Sequence, residues 1–151
     1  MVTQVFLPQL ILDKISEITA NSDYEECGIF LGIKGNEHFQ INHIIQDTLK
    51  KDKSPYSSIR HTIGIYSEYQ TTINRETLID YIGEWHTHTR GTATPSASDK
   101  SAMRHLLNHE KYSFPQELLL GICSPTEKLR IFLFCAKTIK SRELKINVST
   151  I

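Results

Sequence analysis

The chain has 151 residues, 39% of them apolar and 23% charged, a composition that suits one folded domain with one core and excludes a disordered chain. Its 17 basic and 17 acidic residues cancel to a formal net charge of zero, which removes the long-range attraction a nucleic-acid or anionic-membrane binder needs. Three cysteines without a Cys-x-x-Cys pair argue against a disulfide framework and for a reducing cytoplasm, and neither a signal peptide nor an apolar run near the ~20 residues of a membrane span is visible.

In chain order, residues 4–7 read as a short strand. Pro8 suits the first turn of a helix, and Leu7, Ile11, Ile15 and Ile18 recur at helical spacing while Asp13, Lys14 and Glu17 fall elsewhere. The apolar run 27–33 predicts a buried strand with Glu25 and Glu26 at its entrance. Residues 34–37 make a hairpin turn, and 38–46 form the second arm, with Phe39, Ile41 and Ile45 alternating inward. Residues 47–58 are polar and lysine-rich and read as a loop; 60–63 predict a brief strand. Ile65, Tyr69 and Ile73 mark a second helix that ends near Arg75 and Glu76.

The strand predicted over 78–88 ends in the chain's densest chemistry, Glu84-Trp85-His86-Thr87-His88, followed by Ser96 and Asp99. Side chains two apart on a strand share a face, so His86 and His88 point the same way. Pro95-Ser96 opens a third helix, over 96–109, with Ser96 as cap and Asp99 in the first turn. Neutral imidazole and carboxylate are the ligands a catalytic zinc ion prefers, and three of them plus a water complete a tetrahedron. Taken singly, a His-x-His pair is more often a satisfied strand pair and Ser-x-x-Asp a capping box. Together, with a carboxylate upstream, they point to a metal centre. Asp99, Met103 and Leu106 share one helix face; His105 and His109 lie well round the helix from Asp99 and read as exposed or capping.

Residues 110–116 read as a loop and 118–123, apolar throughout, as a central strand. Residues 124–127 turn the chain, Leu129, Ile131, Leu133 and Cys135 alternate on the returning strand, and Leu144, Ile146 and Val148 predict a last edge strand. The expected architecture is a single α/β domain over 1–151, with a mixed, mostly antiparallel sheet flanked by about three helices.

His86-x-His88, seven residues, Ser96, two residues, Asp99 resembles the signature of the JAMM (JAB/MPN+) zinc metalloproteases. The family pattern also carries an upstream glutamate in Glu-x-x-Gly-x-x-x-Gly, which Glu25, Gly28 and Gly32 match, selecting Glu25 over Glu26. The element order resembles the family fold, an MPN/JAB (cytidine-deaminase-like) domain, and the Gly83–His88 run is most similar to small prokaryotic JAB proteins. One departure is Thr89, where many members have proline; it removes no ligand. The long insertions that select ubiquitin linkages are absent or very short, with 47–58 and 110–116 the only candidates, so linkage selectivity is not expected.

The resemblance implies hydrolysis of the isopeptide or peptide bond after the C-terminal tail of a ubiquitin-like modifier or a conjugated protein. It implies one Zn²⁺ per chain on His86, His88 and Asp99, with Glu25 as general base and Ser96 donating to the oxyanion. The other reading of Ser96 is the helix cap alone, since one side chain can hardly do both. Glu84 shares the parity of the histidines and is either a partner fixing an imidazole tautomer or a plain polar strand residue. Trp85 and Thr87 face the other way as packing residues, and Cys27 reads as an ordinary buried cysteine. Expected partners are a substrate protein with an extended tail and E1/E2-like conjugation enzymes of the same operon, antiphage operons included, with no nucleic acid and no membrane. Alternatives are a non-catalytic MPN scaffold and a hydrolase that trims a small sulfur-carrier-type protein.

Overall fold

The computed structural model describes residues 1–49, 64–108, 117–137 and 140–149. The elements in chain order are β1 (Gln4–Pro8), α1 (Gln9–Asn21), β2 (Cys27–Lys34), β3 (His38–Gln46), α2 (Tyr66–Arg75), β4 (Asp80–Thr87), α3 (Ala97–Leu107), β5 (Glu117–Ser124), β6 (Lys128–Cys135) and β7 (Arg142–Ser149). The brief strand predicted at 60–63, most of the 47–58 loop, the 110–116 loop and His109 lie outside the described residues. No helix among the described residues is long and apolar enough to cross a membrane.

Among the described residues, seven strands close into a barrel in the order β1-β3-β2-β4-β5-β6-β7. This corrects the expectation of an edge at 144–148. β7 pairs with β6 antiparallel and with β1 parallel, and β1 pairs with β3 parallel as well. β4 and β5 are also parallel, so the sheet is mixed.

One apolar cluster takes side chains from every strand, among them Val5, Phe30, Ile41, Trp85, Leu119, Ile131 and Leu144, and from Ile11 and Ile15 of α1. This is the inner face of the closed sheet. α1 therefore seals the inside rather than flanking the outside, and Pro8, at φ −67°, turns the chain from β1 into it. Thr19 completes the buried stripe of α1, its hydroxyl donating to the Ile15 carbonyl at 2.8 Å. The outer face carries two smaller clusters. α2 packs Tyr69 and Ile73 against Ile29, Leu31, Ile45 and Ile79, and α3 packs Met103 against Leu118, Leu120, Ile122, Phe132 and Phe134.

Two bulges set which side chains reach which face. Leu31 stands opposite His43 but Gly32 opposite Ile41, so Asn42 is an extra residue in β3. Beyond it the pleat inverts. Ile44 then joins Phe39 and Ile41 inside, and Ile45, expected there, turns to the outer cluster under α2. In β4, Phe30 faces Gly83 and Leu31 faces Tyr81, so Ile82 is the extra residue. That puts Tyr81 on the same face as Glu84 and His86. Gly28 permits close packing of β2: a Cβ there would lie 1.9 Å from the Ile45 carbonyl oxygen and 2.7 Å from the Trp85 indole nitrogen.

Candidate metal centre

The site lies on the outer face, where β4 ends beside the start of α3. His86 stands opposite Cys27 of β2 and beside Ile122 of β5. β4 stops at Thr87, one residue short of the expected end, but the His88 amide donates to the Cys123 carbonyl at 2.8 Å and prolongs the ladder. The alternation therefore reaches His88, and its ring meets that of His86 edge-on, centroids 5.0 Å apart. As expected, Trp85 and Thr87 point the other way and are buried.

From His88 the chain loops to α3. Ser96 caps the helix: its hydroxyl oxygen accepts from the Asp99 amide at 3.1 Å, and the Ser96 amide donates to Asp99 Oδ2 at 2.8 Å. This capping box fixes the Asp99 carboxylate in the first turn, facing the strand. His86 Nε2 then lies 3.3 Å from Asp99 Oδ1, and His88 Nε2 lies 3.6 Å from Oδ2. All three side chains are 12–15% exposed. Among the described residues, His86, His88 and Asp99 form a group whose ligand atoms lie within 4.8 Å of one another and could hold a metal ion.

The donor set fits such an ion. A tetrahedral centre with bonds of about 2.0–2.2 Å separates its ligand atoms by about 3.3–3.6 Å. His86 Nε2 is fully buried and is not aligned for a hydrogen bond to any group, including the carboxylate beside it. An orphaned buried nitrogen costs about 1–3 kcal/mol, and a ligand for it removes that cost. His88 Nδ1 donates to the Thr92 carbonyl at 2.7 Å, which places the lone pair on Nε2, on the Asp99 side.

Electrostatics agrees. Burial pushes Asp99 up, but the two imidazoles and the Ser96 amide outweigh it and hold the carboxyl far below the usual carboxylate range. The contact with Asp99 raises His88 above the ordinary imidazole value, against burial. Glu25, half-buried just before β2, is raised by burial, while the charges of His86 and His88 pull it down and Asp99 pushes it up. It therefore feels all three members of the group.

Glu26 serves the scaffold. Its carboxylate accepts from Ser22 Oγ at 3.0 Å and from Gln46 Nε2 at 3.4 Å, and its backbone clasps Thr87 in both directions. Glu84 accepts from the Tyr81 hydroxyl at 2.5 Å and is outside the convergent group. The expectation that Ser96 must choose between two roles fails on hydroxyl chemistry: capping uses an oxygen lone pair and leaves the proton to be donated elsewhere. His105 is exposed in the last turn of α3. Cys27 is buried directly across from His86, a juxtaposition that only the strand register reveals. Sequence reasoning also missed the Thr92 carbonyl, because nothing in a loop's composition shows where its carbonyls point.

The family described as "Prokaryotic homologs of the JAB domain" matches residues 8–134. No curated protein matches the sequence at a significant level. In three dimensions the chain is similar to protein DSY2949 from Desulfitobacterium hafniense, whose structure was determined in solution. The two share 18% sequence identity with a TM-score of 0.68, over 98% of this chain and 94% of that one, which shows a common fold. The family match takes in Glu25, His86, His88, Ser96 and Asp99 alike, and the chain belongs to the prokaryotic homologues of the JAB domain.

Proposed function

We propose that this protein is a zinc-dependent peptidase or isopeptidase, cleaving the bond after the extended C-terminal tail of a ubiquitin-like modifier or a conjugated protein. The observation that carries the reading is the convergence of His86, His88 and Asp99, with a buried His86 Nε2 that faces the carboxylate without an aligned hydrogen bond, beside the half-buried Glu25. His86, His88 and Asp99 would hold the ion. Bound there, zinc supplies a Lewis acid and brings the pKa of a water toward ~7.

Glu25 takes the proton of the attacking water and returns it to the leaving amine. A carboxyl raised by partial burial is better matched to that shuttle than one at its ordinary value. Ser96, its oxygen held by the Asp99 amide, has its proton left to donate to the developing oxyanion. β4 holds His86 and the capped first turn of α3 holds Asp99, so two of the three ligands stand on regular elements, which favours a pre-organised site.

The test is cleavage of modifier tail fusions by the purified protein with and without a chelator, alongside Glu25→Gln. Chelator-sensitive cleavage that Glu25→Gln abolishes while zinc stays bound supports the reading. A protein that binds zinc but cleaves neither fusions nor conjugates contradicts it. Cleavage only of tails extended by a short segment would favour trimming of a sulfur-carrier-type protein.

A further inference from the structure

A second set of polar side chains, on the β5–β6 turn, grips the loop between His88 and Ser96. Thr126 Oγ1 donates to the Gly91 carbonyl at 3.0 Å. The Ala93 amide donates to Glu127 Oε2 at 2.7 Å. Arg130 Nη1 donates to that same Oε2 at 3.1 Å and to Thr94 Oγ1 at 3.2 Å. The other edge of the guanidinium is fixed by Glu143, through bonds of 2.9 and 2.7 Å. Such a two-pronged bond gives Arg130 a defined orientation. The turn is itself shaped for this: Lys128 adopts φ +60°, and the Glu127 amide donates to Ser124 Oγ at 3.1 Å.

The amide that Glu127 accepts from and the carbonyl that His88 donates to belong to one peptide unit, Thr92–Ala93. That unit is planar and rigid, so holding its N–H aims its C=O. Ala93 is wholly buried, which prevents the unit from tipping. Hydrogen bonds in series also polarise one another: an anion on the N–H enriches the carbonyl oxygen, which strengthens its pull on the Nδ1–H of His88.

We propose that Glu127 is a positioning residue of the metal centre, its carboxylate acting through the Thr92–Ala93 peptide on the His88 imidazole, with Arg130 and Glu143 holding that carboxylate in place. Many metal-binding histidines donate directly to a carboxylate, which orients the ring and raises its basicity. Here a peptide group stands between the two. The inference rests on His88 being a metal ligand, as in the proposed function.

The experiment compares wild type, Glu127→Gln and Glu127→Ala. Glutamine keeps an acceptor for the Ala93 amide and removes the charge, so a mere loop staple survives it. Two readouts are used: the Zn²⁺ dissociation constant by chelator competition, and the ¹H and ¹⁵N shifts of His88 Nδ1–H in metal-free protein. Alanine is expected to weaken zinc by about 10–100-fold, with glutamine in between, and both should move the Nδ1–H resonance upfield. A Glu127→Gln protein matching wild type in both readouts overturns the proposal, whatever the alanine variant does. If wild type itself binds no zinc, the proposed function fails, while the metal-free Nδ1–H shift still decides whether the carboxylate reaches His88.

Discussion

His86 Nε2 and Asp99 Oδ1 lie 3.3 Å apart, although one residue stands next to the end of a strand and the other in the first turn of a helix. The nitrogen is buried without a hydrogen bond and the carboxylate is held in a capping box, so neither can swing away cheaply. A cation held between them would satisfy both groups.

Zinc should therefore stabilise the fold. With free zinc at a hundred times its dissociation constant, ligand linkage adds about 2.7 kcal/mol to the native state. His86→Ala and Asp99→Ala should each abolish the zinc-induced rise in Tm, measured by calorimetry with and without chelator. A variant that retains the full rise would remove that residue from the ligand set.

The pH dependence should change sign with metal. Without it, His88 is raised above its unfolded value of 6.5, so its contribution is fully present below that value and fades as pH rises through the folded one. Asp99 is depressed, so its contribution is present above 3.8 and fades as pH falls through the lower folded value. Metal binding needs neutral imidazoles and displaces their protons. The difference in Tm between zinc-loaded and metal-free protein should thus widen from about pH 5.5 to about pH 7.5. A difference that is flat or narrows over this range would contradict the imidazole ligands.

Ser96 can be tested for two roles separately. Glycine is a tolerated N-cap and costs only a few tenths of a kcal/mol against serine, whereas alanine costs about 1 kcal/mol. Neither offers a hydroxyl. Ser96→Gly should therefore keep nearly wild-type Tm while kcat falls by about 10²–10³-fold. If kcat instead follows Tm across the two variants, Ser96 is a cap and nothing more.

Two glycines should respond differently to alanine. Gly91, in the ligand loop, has φ +82° and open space where a Cβ would stand. Alanine there should cost about 1–2 kcal/mol from backbone conformation alone. At Gly28 the added Cβ would sit 1.9 Å from the Ile45 carbonyl oxygen, a collision that no side-chain rotation relieves. Gly28→Ala should lose cooperative folding, read as a missing thermal transition, while Gly91→Ala keeps one at lower temperature.

The convergent group was legible in the sequence because its two halves obey short-range rules. Strand alternation aligned His86 with His88, and a helix cap located Asp99. Glu25 needed the family resemblance, since Glu26 stands equally close in sequence; the structure then separates them by turning Glu26 toward Ser22 and Gln46. Barrel closure was not legible. β1 meets β3 and β7 as parallel neighbours, and no turn in the sequence announces a parallel pair. The bulges at Asn42 and Ile82 were equally hidden, and the first misplaced Ile45. Glu127 lies far along the chain from His88 and meets its loop only in three dimensions.

The most direct measurement is zinc content and X-ray absorption on purified protein. One zinc per chain is expected, with two imidazole nitrogens at about 2.0–2.1 Å and carboxylate oxygen in the remaining protein position. Protein that holds no stoichiometric zinc after zinc loading, or whose zinc shows no imidazole scattering, would contradict it.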